Sequence, residues 1–314
     1  AKVQEVKGEK LKTSLMAHAK EAELSRQLAS LDLNVPLEVS PEDLKIGPGD
    51  RARLATLFRD LGFLTLLKEL SAAPSPLLEG RTYSLVLTEE ELDRLMALLR
   101  SSQEFAIDVE TTSPEPMRAG IVGISLCCRE GQASYIPVGH TYLGAPAQLK
   151  KDRVFNALKP ILEDPSIKKV GQNIKYDLIV LKNEGVVLKG TSGDTMIASY
   201  LLNPVRRQHN LSDLALEYLG HRMKDFTELK PLGKKTAGFH EVYLEDARDY
   251  SCDDAHVTFL LSRMLFPKLS EEGLDDLFHK IEMPLMEVLA EMEMVGVKID
   301  TQVLRALSQE FSSK

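Results

Sequence analysis

The stretch Phe105-Ala106-Ile107-Asp108-Val109-Glu110-Thr111-Thr112 sets two carboxylates two residues apart inside a run that otherwise reads as a buried strand. Side chains alternate across a strand, so Asp108 and Glu110 share one face and Val109 takes the other. Burying two like charges without compensation is close to prohibitive. Two readings are open from this stretch alone. The pair holds a cation at the end of an apolar strand, or the strand lies at an edge and turns a solvated acidic face outward.

Outward from this strand, the rhythm is that of an α/β domain. Tyr83-Ser84-Leu85-Val86-Leu87 reads as a strand, and Thr88 stands three residues before Glu91, a capping box that opens a helix through Leu99. After the Asp108 strand come two more β-rich runs, Gly120 to Cys128 and Ala133 to Val138. They predict three consecutive strands joined by tight turns at Gly120 and Glu130-Gly131. Helical patterns dominate from Gln148, interrupted by a short strand at Lys169-Val170. Residues 1–70 read as helical and electrically neutral, with apolar spacing in Leu11, Leu15, Leu24, Leu28 and again in Leu54, Leu57, Phe58, Leu61. An extended connector at Leu33 to Leu37 and a turn at Gly47-Pro48-Gly49 divide them, and Ser71-Ala72-Ala73-Pro74-Ser75-Pro76 reads as a linker. The expected organisation is a helical segment 1–76, an α/β domain 77–268, and a helical segment 269–314 beginning in earnest at Ile281.

Composition narrows the function. With 39 basic and 47 acidic side chains the net charge is −8, which argues against a general electrostatic grip on a nucleic-acid duplex. Any such contact is expected to be local, with bound cations supplying positive charge. No apolar run reaches the length of a membrane span, and the start of the chain lacks the layout of a secretion signal, so a cytoplasmic protein is expected. Three cysteines, two of them adjacent (Cys127 and Cys128), make neither a disulfide framework nor a zinc spacing; the adjacent pair is expected to pack on opposite faces of a strand.

Asp177, Tyr250 and Asp254 are candidates to complete a site around Asp108 and Glu110. In Gly171-Gln172-Asn173-Ile174-Lys175-Tyr176-Asp177 a strand runs into a helix, with Asn173 and Asp177 four apart on one face. Alone, they also read as an N-cap and a first-turn acid. In Tyr250-Ser251-Cys252-Asp253-Asp254, Tyr250 and Asp254 are four apart on a helix whose other face carries Val257, Leu260 and Leu261, which also suits an ordinary amphipathic helix. Asp253 is expected to be a solvated surface acid, and Asp194, before Thr195-Met196-Ile197, an N-cap. The ordered set carries more weight than its parts. Four carboxylates can hold two divalent cations about 3.5–4 Å apart, clamping the attacking and leaving oxygens of a phosphodiester. Hard oxygen donors suit Mg²⁺ or Mn²⁺, and a tyrosine hydroxyl can orient the attacking water or take its proton.

At these residues the chain resembles the bacterial family A DNA polymerases I, specifically their 3′–5′ proofreading exonuclease domain, the tyrosine branch of the four-acid exonucleases. Ile107 to Thr112 resembles the first exonuclease motif, Val170 to Asp177 the second, and Tyr250 to Asp254 the third. Lys7 to Leu37 resembles the end of the 5′-nuclease domain, and Ile281 to Asp300 the opening of the polymerase domain. The resemblance implies a ribonuclease-H-like mixed sheet flanked by helices, with helical extensions at both ends. It implies that Asp108, Glu110 and Asp254 ligate the tighter of two divalent cations (Mg²⁺ or Mn²⁺), that Asp108 also touches the second, and that Asp177 helps place it through water. Tyr250 would position the nucleophilic water. Gln172, Asn173 and Tyr176, with Thr111, would contact the terminal nucleotides, and Phe226 would stack near the 3′ end. Pro114 stands where the family commonly has a wedging leucine, and Gln208 where some members have an arginine. Lys230, Lys234 and Lys235 suggest a basic loop able to touch phosphates, or simply a solvated one.

The implied reaction is removal of nucleoside 5′-monophosphates from single-stranded or frayed DNA. The partners would be DNA and the rest of a monomeric polymerase chain whose own active site lies past Lys314. Two other readings compete with it. An exoribonuclease of the ribonuclease D kind is opposed by the flanks, and a catalytically silent spacer or single-strand-binding module by the intact acids.

Overall fold

In the computed structural model, residues 3–36, 39–40, 44–47, 49–70, 80–229 and 238–313 are described. The expected linker Ser71 to Pro76 and the basic loop with Lys230, Lys234 and Lys235 fall outside them, as do Leu37 and Pro48. The chain forms two compact units, residues 1–51 and 52–314. Helices α1 (Glu9–Ala17) and α2 (Ala19–Ala29) lie in the first. The second contains a sheet of six strands: β1 (Thr82–Leu85), β2 (Glu104–Thr111), β3 (Ile121–Arg129), β4 (Gln132–Pro137), β5 (Lys168–Gly171) and β6 (Thr191–Asp194). The helices that follow α2 are α3 (Arg51–Asp60), α4 (Leu64–Leu70), α5 (Glu89–Ser101), α6 (Lys151–Leu162), α7 (Ile174–Asn183), α8 (Thr195–Leu202), α9 (Leu211–Leu214), α10 (Leu244–Glu271), α11 (Asp275–Leu277), α12 (Met283–Val295) and α13 (Thr301–Ser313). None of the helices among the described residues is long and apolar enough to cross a membrane.

The strand order is β1-β4-β3-β2-β5-β6. The β2–β3 and β3–β4 pairs are antiparallel, while β1–β4, β2–β5 and β5–β6 are parallel. The sheet is therefore mixed and flanked by helices, as expected, with β2 at its centre. The capping box forms as read: Glu91 N donates to Thr88 Oγ1 at 3.3 Å and Thr88 N to Glu91 Oε2 at 3.0 Å. Spacing of three and four then turns Leu92, Leu95, Met96 and Leu99 inward along α5. The β3–β4 turn at Glu130-Gly131 is tight, with Gly131 at φ +75°, a conformation that costs glycine nothing. The β2–β3 connection differs from expectation. It is a nine-residue loop closed at its neck, where Thr112 N donates to Gly120 O and Gly120 N to Thr112 Oγ1, both at 3.0 Å. Strand β6 was not anticipated; it is a short edge strand of small and polar residues, with no apolar alternation to betray it.

Two cores lie on opposite faces of the sheet. Phe105, Ile107 and Val109 enter the one covered by α5, α6 and α7, while Ala106 enters the one beneath α10. Period-two alternation therefore turns Asp108 and Glu110 toward α10. Cys127 and Cys128 divide between the same two cores, as their adjacency in β3 predicts. Before the sheet begins, α4 packs against the turn at Ala215–Leu219, with Leu67 fully buried.

Candidate active site

Strand β3 faces the two acids with its smallest residues: Asp108 lies opposite Ser125 and Glu110 opposite Gly123. The Tyr135 ring fills the space that the absent Gly123 side chain leaves. Asp254, from α10, brings a carboxylate oxygen to Asp108 and Glu110 so that all three lie within 4.8 Å of one another. One helical turn earlier stands Tyr250, whose ionisation is opposed by burial and then by Asp254, Glu110 and Asp108. Between them Ser251, fully buried, donates from Oγ to Glu110 Oε1 at 2.7 Å. Among the described residues no cationic side chain pairs with any of the three acids. Burial accordingly pushes Asp108 up to about 6, Ser125 opposing the rise. Burial, with Asp108 as the next cause, raises both Glu110 and Asp254 well above the carboxylate range.

The fourth acid arrives differently. Strands β2 and β5 pair only as far as Ala106 with Val170. Beyond that point β5 turns away through Asn173, in the left-handed region at φ 57°, into α7. Asp177 then accepts the Val109 amide hydrogen at 2.9 Å. It is buried beside Asp108, and desolvation followed by that charge raises its pKa. It stands outside the close trio.

The remaining residues divide by what occupies their polar atoms. Asn173 is exposed, and its side chain makes no cap bond. The Tyr176 hydroxyl donates to Ser113 O at 2.5 Å and lies 2.5 Å from Thr111 Oγ1, tying α7 to the loop that carries the exposed Pro114. Gln172 is committed internally: its Nε2 donates to His209 O at 2.7 Å and its Oε1 accepts from Thr195 Oγ1 at 2.6 Å. The exposed Phe226 stacks on Phe239 at 6.1 Å between centroids, and Phe239 leans on Tyr250 at 5.9 Å, making an aromatic path from the surface to the acids.

The family model described as 3′–5′ exonuclease matches residues 83–271, which hold the trio, Asp177 and Tyr250. The chain belongs to the 3′–5′ exonuclease family. DNA polymerase I of Pseudomonas aeruginosa is 37% identical over 317 residues, covering 97% of this chain and 35% of its own length. DNA polymerase I of Chloroflexus aurantiacus is 32% identical, covering 96% and 36%. The chain thus spans about a third of the length of these relatives. Among solved structures, the POL domain of Pol1 from M. smegmatis, in complex with DNA primer-template and dNTP, aligns at TM-score 0.59 and 23% identity, covering 73% of this chain and 35% of that one. Escherichia coli RNase D also aligns, at TM-score 0.51 and 20% identity, and the fold is of the ribonuclease-H-like kind.

Three residues in or around the exonuclease site differ from, or extend, the sequence reading. Asp253 is buried, not a surface acid. It accepts hydrogen bonds from Arg81 Nη1 and Tyr83 Oη at 2.9 Å and pairs with His221 Nε2 at 2.7 Å. The spacing placed it off the Asp254 face correctly, but its partners come from 32 and from 170 or more positions away, beyond any local pattern. Ser251 was also missed, since a serine in a helix carries no signal of its own. Asp194 is an N-cap as read, and it caps two helices. It accepts from Met196 N and Ile197 N at the start of α8, and from Asn173 N and Ile174 N at the start of α7.

Proposed function

We propose that this exonuclease is the proofreading segment of a longer, monomeric, cytoplasmic DNA polymerase I, and that it hydrolyses the 3′-terminal phosphodiester of single-stranded or frayed DNA to release nucleoside 5′-monophosphates. The observation that carries the reading is the trio of half-buried acids within 4.8 Å, with no cationic partner among the described residues and with Tyr250 one turn from Asp254. Three hard oxygen donors with no protein cation fit a divalent metal, Mg²⁺ or Mn²⁺, and not a soft one.

Asp108, Glu110 and Asp254 would hold the tighter ion; Asp108, with Asp177 through water, would hold a second. When bound, such ions stabilise charge on the attacking and leaving oxygens of the phosphodiester. The protein's own groups do the rest. Ser251 fixes the Glu110 carboxylate. Tyr250 orients the attacking water through its phenolic oxygen. Phe226 offers a face for the terminal bases. Asn173, with the Thr111–Tyr176 pair, lines the path of the last nucleotides, and Gln172 supports that path from behind.

The higher identity to DNA polymerases I supports DNA over RNA, since the likeness to Escherichia coli RNase D (TM-score 0.51, 20% identity, 67% of this chain and 51% of that one) concerns the fold alone. Matched 5′-labelled DNA and RNA oligonucleotides incubated with Mg²⁺ or Mn²⁺ test the reading. The expected result is a ladder shortening from the 3′ end of DNA with deoxynucleoside 5′-monophosphates released. Preferential digestion of RNA would favour an exoribonuclease, and inertness toward both a silent module.

A further inference from the structure

We propose that Asp253, next to but facing away from the acid trio, is a positioning residue that sets both the catalytic helix α10 and the segment carrying Phe226. This rests on the reading of Asp254 and Tyr250 given above. The hydrogen bonds around Asp253 form a chain in which the protons on His256 and Tyr83 can be assigned. The Gly131 amide donates to His256 Nε2 at 2.9 Å, so that nitrogen carries the lone pair and the ring hydrogen sits on Nδ1. Nδ1 lies 3.1 Å from Tyr83 Oη and donates to it, which leaves the phenolic hydrogen for Asp253 Oδ1 at 2.9 Å. Arg81 donates to the same oxygen, and His221 Nε2 donates to Oδ2 at 2.7 Å.

Three parts of the fold meet at this carboxylate. Arg81 and Tyr83 belong to the start of β1 and Gly131 to the β3–β4 turn, so the chain fastens α10 to one edge of the sheet. His221 begins the segment that ends in Phe226. That segment is stiffened by its own bonds: Thr227 N donates to Asp225 Oδ1 at 2.9 Å and Asp225 N to Glu228 Oε1 at 3.1 Å. A buried ion pair adds little net stability over apolar packing, and its directional bonds select one arrangement. Successive helix residues point about 100° apart. Holding Asp253 toward β1 therefore fixes the rotation that aims Asp254 at Asp108 and Glu110. An error of about 1 Å in such groups costs about 100-fold in rate.

The test uses the full chain, a single-stranded DNA substrate with Mg²⁺, and Mn²⁺ binding measured without substrate. Asp253→Asn is expected to melt cooperatively, bind Mn²⁺ more weakly and lose about 10–100-fold in kcat. Tyr83→Phe, which removes one hydrogen bond and little volume, should lose about 2–10-fold in kcat with KM held. His221→Leu should raise KM with kcat held, and His221→Gln, whose amide can donate to Oδ2, should restore it. Wild-type kcat, KM and Mn²⁺ affinity in folded Tyr83→Phe and His221→Leu would overturn the proposal, even if Asp253→Asn fails to fold. Should the wild type leave DNA intact, the proposed function fails, while weaker Mn²⁺ binding by Asp253→Asn would still support the positioning role.

Discussion

The carboxylate of Asp177 accepts the amide hydrogen of Val109, so α7 meets β2 at the one residue that separates the two strand acids. The bond compensates for the point where β5 has left the strand, and it carries a charge to the edge of the trio. Asp177→Asn keeps an acceptor oxygen and removes the charge. Cleavage is expected to fall to background while the melting temperature in chelator equals or exceeds that of the wild type. Asp177→Ala leaves a buried N–H unpaired and should cost about 1–3 kcal/mol in thermal unfolding.

Tyr250 lies one turn from Asp254, and burial followed by that charge raises its pKa. A phenol there can hold the attacking water by a hydrogen bond. Tyr250→Phe is therefore expected to lower kcat about 100-fold with the Mg²⁺ midpoint unchanged. Loss of metal binding, read by calorimetry, would count against the orienting role.

Burial pushes Asp108 up to about 6 and raises Glu110, Asp177 and Asp254 further from the carboxylate range. A carboxyl whose folded pKa exceeds its unfolded one holds its proton more tightly in the folded chain. Its contribution to stability is full below about pH 4 and is lost as pH rises through the folded value. Metal-free protein should thus lose stability between about pH 4 and 6 and above as these acids ionise. His140 and His256, pressed down to about 4 by burial, act in the opposite sense over the same range. The difference between wild type and Asp108→Asn isolates the acid: the variant's advantage in melting temperature should grow with pH. Added Mg²⁺ should raise the wild-type melting temperature more at high pH than at low, because ions bind the ionised acids of the folded state.

Asp194 caps α7 and α8 together, so one truncation frees four amide hydrogens. Asp194→Ala is expected to cost about 2–4 kcal/mol, roughly two N-caps. Because α7 carries Asp177, kcat should fall as well. Calorimetric unfolding checks the first expectation and DNA digestion the second.

The central strand, the capping box of α5, the Asp194 cap and the division of Cys127 and Cys128 between two cores are legible in the sequence alone. Each depends on period, turn chemistry or a bond spanning three residues. That Asp108 and Glu110 share a face is legible for the same reason; Asp177 and Asp254 lie on other elements, and their place beside the pair rests on the order of the motifs and the family resemblance. Gly120 was misread because a loop neck and a tight turn have the same local composition. Strand β6 was missed because Thr191-Ser192-Gly193 has no alternation to display.

What the amino-acid order determined by itself was which face of each strand or helix a carboxylate occupies, since backbone geometry sets that within a few residues. Only the tertiary structure decided what stands opposite that face. It turned Gln172 inward to His209 and Thr195, sank Asp253 among Arg81, Tyr83 and His221, and set Ser251 against Glu110. These contacts join residues 23 to 172 positions apart, and their partners are selected by packing and by the need to satisfy buried polar atoms, which no short window of sequence contains.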